Sequence, residues 1–119
     1  MLLEFRTKMT PPIDMSRLQA IAGDDDALAQ DLLELYRDDT ASRFSAMREA
    51  LAKGDKQALR MQAHALKGAS ANIGAGRMQA LSKTLEEKAL AGELEGSDLL
   101  IDQLAAEYKQ VVEFISALY

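Results

Sequence analysis

The chain has no cysteine, no tryptophan, one histidine and two prolines in 119 residues. Each scarcity excludes something. Without cysteine there is no disulfide framework and no thiolate metal site. With only one histidine as well, the usual zinc constellations cannot be assembled, and no metal or other cofactor is expected on this chain. No segment approaches the ~18 consecutive apolar residues of a membrane span. The opening Met1-Leu2-Leu3-Glu4-Phe5-Arg6 lacks the apolar stretch and cleavage site of a secretory leader, so a cytoplasmic location is expected. Basic residues number 14 against 19 acidic ones, and the net charge of -5 argues against nucleic acid as a partner.

What is present suits one small globular domain: 48% apolar and 28% charged residues, enough for a single core and little for an enzyme with its own substrate pocket. Both prolines stand together at Pro11-Pro12, which divides an N-terminal segment, residues 1 to 12, from a domain over 13 to 119. Two readings of the segment stay open: a tail, or an extra turn laid on the domain through Leu2, Leu3 and Phe5.

Everything after the prolines reads as helix. Asp14 is a candidate N-cap for a short helix over Met15 to Ala22, closed by Gly23. The acidic run Asp24-Asp25-Asp26 suits the positive end of a following helix, about Asp26 to Lys53. There Leu28, Leu32, Leu35, Tyr36, Phe44, Met47 and Leu51 recur at three- and four-residue steps. Gly54 stops it and Asp55 can cap the next, Lys56 to about Asn72 or Ile73, which Gly74-Ala75-Gly76 breaks. Another runs from about Arg77 to Leu90 with Met78, Leu81 and Leu85 on one side. Ser97 or Asp98 can cap a last helix carrying Ile101, Leu104, Tyr108, Val111, Ile115 and Leu118. No strand alternation and no repeat is evident. Short loops between amphipathic helices predict an all-α, antiparallel up-and-down four-helix bundle with a short extra N-terminal helix.

The third of these helices carries the lone histidine. On a wheel of about 100° per residue, Leu66 centres the buried face, with Leu59 and Ile73 within about 20° and Ser70 within about 60°. His64 lies about 160° from Leu66 and points outward. Gly68 at i+4, Ala71 at i+7 and Met61 one turn earlier share its face. A solvated helix face ordinarily carries long polar side chains, and a mid-helix glycine costs about 1 kcal/mol relative to alanine. The bare surface gives another protein access to the ring. Lys67 at i+3 flanks it. A free imidazole titrates near pH 6.5 and supplies a nucleophile, and a nearby ammonium offsets charge on phosphoryl oxygens.

The run Ala63-His64-Ala65-Leu66-Lys67-Gly68-Ala69-Ser70-Ala71-Asn72-Ile73-Gly74 closely resembles the phosphorylation motif of histidine-phosphotransfer (HPt) domains, H-x-x-K-G-x-x-x-x-x-G. The likeness covers roughly Asp14 to Tyr119 and includes the Leu-Ser-Lys-Thr-Leu-Glu stretch after the motif. It implies that His64 is the phosphorylated histidine, that Lys67 supports the phosphoryl group and that Gly68 opens the approach. It implies further that Met61, Ala65, Ser70, Ala71 and Gly74 contribute to partner docking. The implied partners are response-regulator receiver domains and a hybrid sensor histidine kinase. Mg²⁺ would sit on the receiver, and this chain would be a phosphoryl carrier without kinase activity. A monomer is expected, since the histidine must stay exposed.

Two other readings are weighed. The phospho-accepting domain of a chemotaxis-type histidine kinase has a similar motif, although an end at Tyr119 without a linker or kinase domain favours a stand-alone carrier or an excised module. A helical adaptor with an unphosphorylated His64 is the reading from another class. The remaining signals have plainer explanations. Gly74-Ala75-Gly76 follows a helix and lacks the strand of a phosphate-binding loop, and Asp24 to Asp26 lack calcium-loop spacing. Asp38-Asp39 reads as a solvated face.

Overall fold

The computed structural model describes residues 11–119. Five helices follow in order: α1 Met15–Ala22, α2 Asp26–Ala52, α3 Lys56–Ile73, α4 Gly76–Leu90 and α5 Ser97–Leu118. Among the described residues there is no strand. Of the expected N-terminal segment, residues 1–10 lie outside the described residues, and among the described residues Ile13 is the first buried side chain.

Three aspartates start three helices. Asp14, Asp25 and Asp55 each take extended backbone and accept a backbone N–H from the first turn: Ser16 at 3.0 Å, Leu28 at 2.9 Å and Ala58 at 3.0 Å. The other two starts lack such a cap, as expected for α4 but not for α5, where Ser97 or Asp98 is the candidate. Helix α4 begins at Gly76 behind Ala75, and α5 begins at Ser97 behind Gly96; neither has a side-chain cap. Ser97 is buried in the first turn of α5 instead of capping it.

The four long helices form a closed ring. Each packs on its sequence neighbours (α2 on α3, α3 on α4, α4 on α5), and α5 returns to α2. This is the expected up-and-down bundle. Its core is formed by Leu33, Met47, Leu59, Leu66, Met78, Leu85, Ile101, Leu104 and Val111, all fully buried. The expected apolar repeat of α2 divides unevenly: Leu28 and Leu35 stay exposed, Tyr36 and Met47 are buried, and Leu33, outside that repeat, joins the core.

Short α1 lies across one end, touching α2 and α3. Its anchor is the turn after α3. Gly74 takes the left-handed conformation at φ 82°, and its carbonyl accepts the Asp14 N–H at 2.8 Å. A Cβ on Gly74 would lie 2.6 Å from the Asp14 carbonyl oxygen. Close backbone approach and positive φ both require glycine there.

Candidate functional site

Helix α3 presents its two faces as the wheel predicts. Leu59, Ala63, Leu66 and Ile73 are buried, while the His64 side chain is 64% exposed. Met61 and Gly68 are exposed beside it, and Ala65, Lys67 and Ala71 are half-buried. Nothing within the chain occupies the space at Gly68: a Cβ there would meet no atom within 4 Å. The glycine is therefore not required by backbone conformation or by packing.

A residue from the next helix completes the cluster. Glu86 of α4 accepts a hydrogen bond from His64 Nδ1 through Oε2, and from Lys67 Nζ through Oε1 at 2.5 Å. Its side chain is only 13% exposed. The Glu86 carboxyl is held below the usual carboxylate range, chiefly by the Lys67 hydrogen bond, with burial opposing and the His64 hydrogen bond adding to the effect. An ionised carboxylate only accepts hydrogen bonds, so Nδ1 is the nitrogen that carries the proton. In the neutral ring this leaves Nε2 with a lone pair. A nucleophilic nitrogen is thus fixed on an exposed ring, with an ammonium beside it.

Lys67 is therefore not a free surface cation. It is tied to the same carboxylate as the histidine. Sequence reading missed Glu86 as a member of this group, although it closes the Leu-Ser-Lys-Thr-Leu-Glu stretch of α4. One helix's periodicity cannot say which residue of its neighbour meets which turn.

Two expected docking residues are corrected by the structure. Ser70 is fully buried and exchanges a 2.7 Å hydrogen bond with the Tyr36 hydroxyl of α2. The wheel places it within about 60° of the core-facing Leu66, and buried Tyr36 of α2 meets it at that edge. Burial pushes the Tyr36 hydroxyl up to about 12, despite the opposing Ser70 hydrogen bond. Gly74 is likewise occupied, pinned beneath Asp14 and Arg17 of α1. Met61, Ala65 and Ala71 remain accessible around the ring. The expected solvated face at Asp38-Asp39 is ion-paired: Arg37 meets Asp38 at 2.9 Å and Arg43 meets Asp39 at 2.8 Å.

Beside α3, a cleft of about 290 Å³ opens toward α2, lined by Leu32, Leu35, Tyr36, Asp39, Ala69, Asn72 and Ile73. Among the described residues, no group of His, Asp and Glu is arranged to hold a metal ion, and no helix is long and apolar enough to cross a membrane.

A four-helix bundle that exposes one carboxylate-anchored imidazole on a bare helix face belongs to the class of helical histidine carriers. The sequence matches the Hpt domain family over residues 31–114, and the chain belongs to that family. Its fold is shared with the crystal structure of histidine-containing phosphotransfer protein B (HptB) from Pseudomonas aeruginosa PAO1. The two chains are 33% identical, with a TM-score of 0.85 over 91% of this chain and 94% of the other. No curated protein sequence matches at a significant level. The family and the HptB match support a phosphotransfer role in two-component signalling.

Proposed function

We propose that this protein accepts a phosphoryl group from a receiver-domain aspartate onto His64 Nε2 and passes it to a second receiver. The supporting observation is the hydrogen bond between His64 Nδ1 and Glu86, which leaves Nε2 as the ring nitrogen without a proton. In loading, the Nε2 lone pair attacks phosphorus in line and the bond from phosphorus to the aspartyl oxygen breaks, its electrons returning to the carboxylate. Delivery reverses these events on another aspartate. The Nδ1 proton stays in place throughout, so the departing group is a neutral imidazole.

Lys67 stands where it can exchange part of its Glu86 contact for a phosphoryl oxygen. Gly68 leaves room for the receiver loop that carries the aspartate. Met61, Ala65 and Ala71 supply small apolar contacts around the ring, as suits the core of a transient interface. Mg²⁺ belongs to the receiver, where it neutralises the aspartyl phosphate. We place the protein in the cytoplasm as a monomer, exchanging phosphate with receivers and a hybrid sensor kinase.

The test is phosphotransfer from a panel of phosphorylated receivers to the wild type and to His64→Gln. Acid-labile, base-stable label on the wild type and none on the variant is the expected result. Equal labelling of both would place the phosphoryl group elsewhere. No labelling of either, with binding retained, would favour a helical adaptor.

A further inference from the structure

The family match begins at residue 31, so α1 lies outside it. Yet α1 is fastened to the C-terminal end of the histidine helix, and its Arg17 reaches the histidine face. Arg17 Nε donates to the Ala71 carbonyl at 3.3 Å. Ala71 is seven residues beyond His64, about two turns and ~10 Å along the same face. Arg17 is exposed and makes no ion pair among the described residues. The Asp14 carboxylate interacts with it through space, while its Oδ1 accepts from the backbone and hydroxyl of Ser16.

The charge balance of this face is opposite to that of the whole chain. The protein carries -5 overall. Along the His64 face stand Arg60 one turn before the ring, Lys67 one turn after it and Arg17 beyond. Lys67 is paired with Glu86, while among the described residues Arg60 donates to the neutral Gln57. Among the described residues, two cations at opposite ends of the bare strip thus make no ion pair, although Arg17 lies in the field of the Asp14 carboxylate.

We propose that Arg17 is a docking residue for the acidic rim of a receiver domain, making α1 part of the phosphotransfer interface. This rests on the phosphotransfer reading above. The partner is specified by charge: a protein that holds Mg²⁺ beside a phosphorylated aspartate gathers carboxylates around that position. The exposed Arg17 guanidinium lies within the footprint of a partner centred on His64, because a standard interface spans roughly 800 Å² per side. Rim charges of this kind act on association rate and on salt dependence.

The experiment compares wild type, Arg17→Glu, Arg17→Lys and Lys109→Glu with two donors. Lys109 lies on α5, which does not pack on α3, and controls for net charge. Phosphoramidate is a small donor that needs no docking; a phosphorylated receiver needs it. With the receiver, Arg17→Glu should slow second-order transfer about tenfold at low salt, and the deficit should shrink near 0.5 M salt as screening shortens to roughly 4 Å. Arg17→Lys should stay within about twofold of wild type, and Lys109→Glu should be unchanged. With phosphoramidate all four should label equally.

Transfer by Arg17→Glu at the wild-type rate would overturn the proposal. So would an equal deficit with phosphoramidate, which would show damage to the site rather than to docking. A wild type that phosphoramidate and receivers both leave unlabelled would instead sink the phosphotransfer reading itself.

Discussion

Glu86 and His64 lie 22 residues apart on adjacent helices, and the Glu86 carboxylate accepts the Nδ1 proton of the His64 ring. The same carboxylate holds Lys67. One buried-side acid therefore sets the ring's tautomer, limits its rotation and stations the neighbouring cation.

Removing that acid should alter the ring before it alters the fold. In Glu86→Ala, ring ¹⁵N shifts of His64 should move from the Nδ1–H form toward a mixture of tautomers. Phosphoryl acceptance should fall about 10- to 100-fold, the scale known for loss of a group that orients a metal-ligating imidazole. Unchanged ring shifts in the variant would mean that the contact does not govern the tautomer.

The lowered Glu86 carboxyl also carries a signed pH dependence. Its ordinary value is 4.5 and the folded value lies below it. Its contribution to stability is therefore present above pH 4.5 and lost as pH falls through the folded value. The stability difference between wild type and Glu86→Gln should accordingly shrink on acidification below 4.5. Denaturant midpoints across that interval test this, and a difference that grows on acidification would contradict the assignment.

At Gly68, stability and activity should move in opposite directions. The position is helical, exposed and empty around the missing Cβ. Gly68→Ala should stabilise the bundle by about 1 kcal/mol through helix propensity alone. Gly68→Gln should fold at least as well as the wild type yet transfer phosphate slowly from receivers, because its side chain occupies the approach to His64. Normal transfer by Gly68→Gln would show that the open face is unnecessary.

Ser70 should behave as a core residue and not as a docking residue. Its hydroxyl shares a buried hydrogen bond with Tyr36. Ser70→Ala should lower stability by about 1–2 kcal/mol, and transfer per folded molecule should be unaffected. A selective loss of receiver binding, with stability retained, would restore Ser70 to the interface.

Gly74→Ala should be costlier than either change. The left-handed backbone alone costs about 1–2 kcal/mol for a residue with a side chain. The added Cβ would also press on the Asp14 carbonyl at 2.6 Å. Hydrogen exchange should show α1 opening first, since the Asp14–Gly74 hydrogen bond fastens it. Protection of α1 equal to that of wild type would mean the turn accommodates the methyl.

The sequence alone determined which segments are helical, where aspartate and glycine begin and end them, and which side of α3 faces outward. Those features depend on spacing along one chain segment, so the periodicity of Leu59, Leu66 and Ile73 sufficed to turn His64 and Gly68 toward solvent. Tertiary structure alone decided what meets that face from elsewhere. It brought Glu86 under the histidine, buried Ser70 against Tyr36, and carried Arg17 to the Ala71 carbonyl. Each of these pairings depends on the rotation and axial offset of one helix against another, which the packing of the whole core fixes and no single helical repeat records.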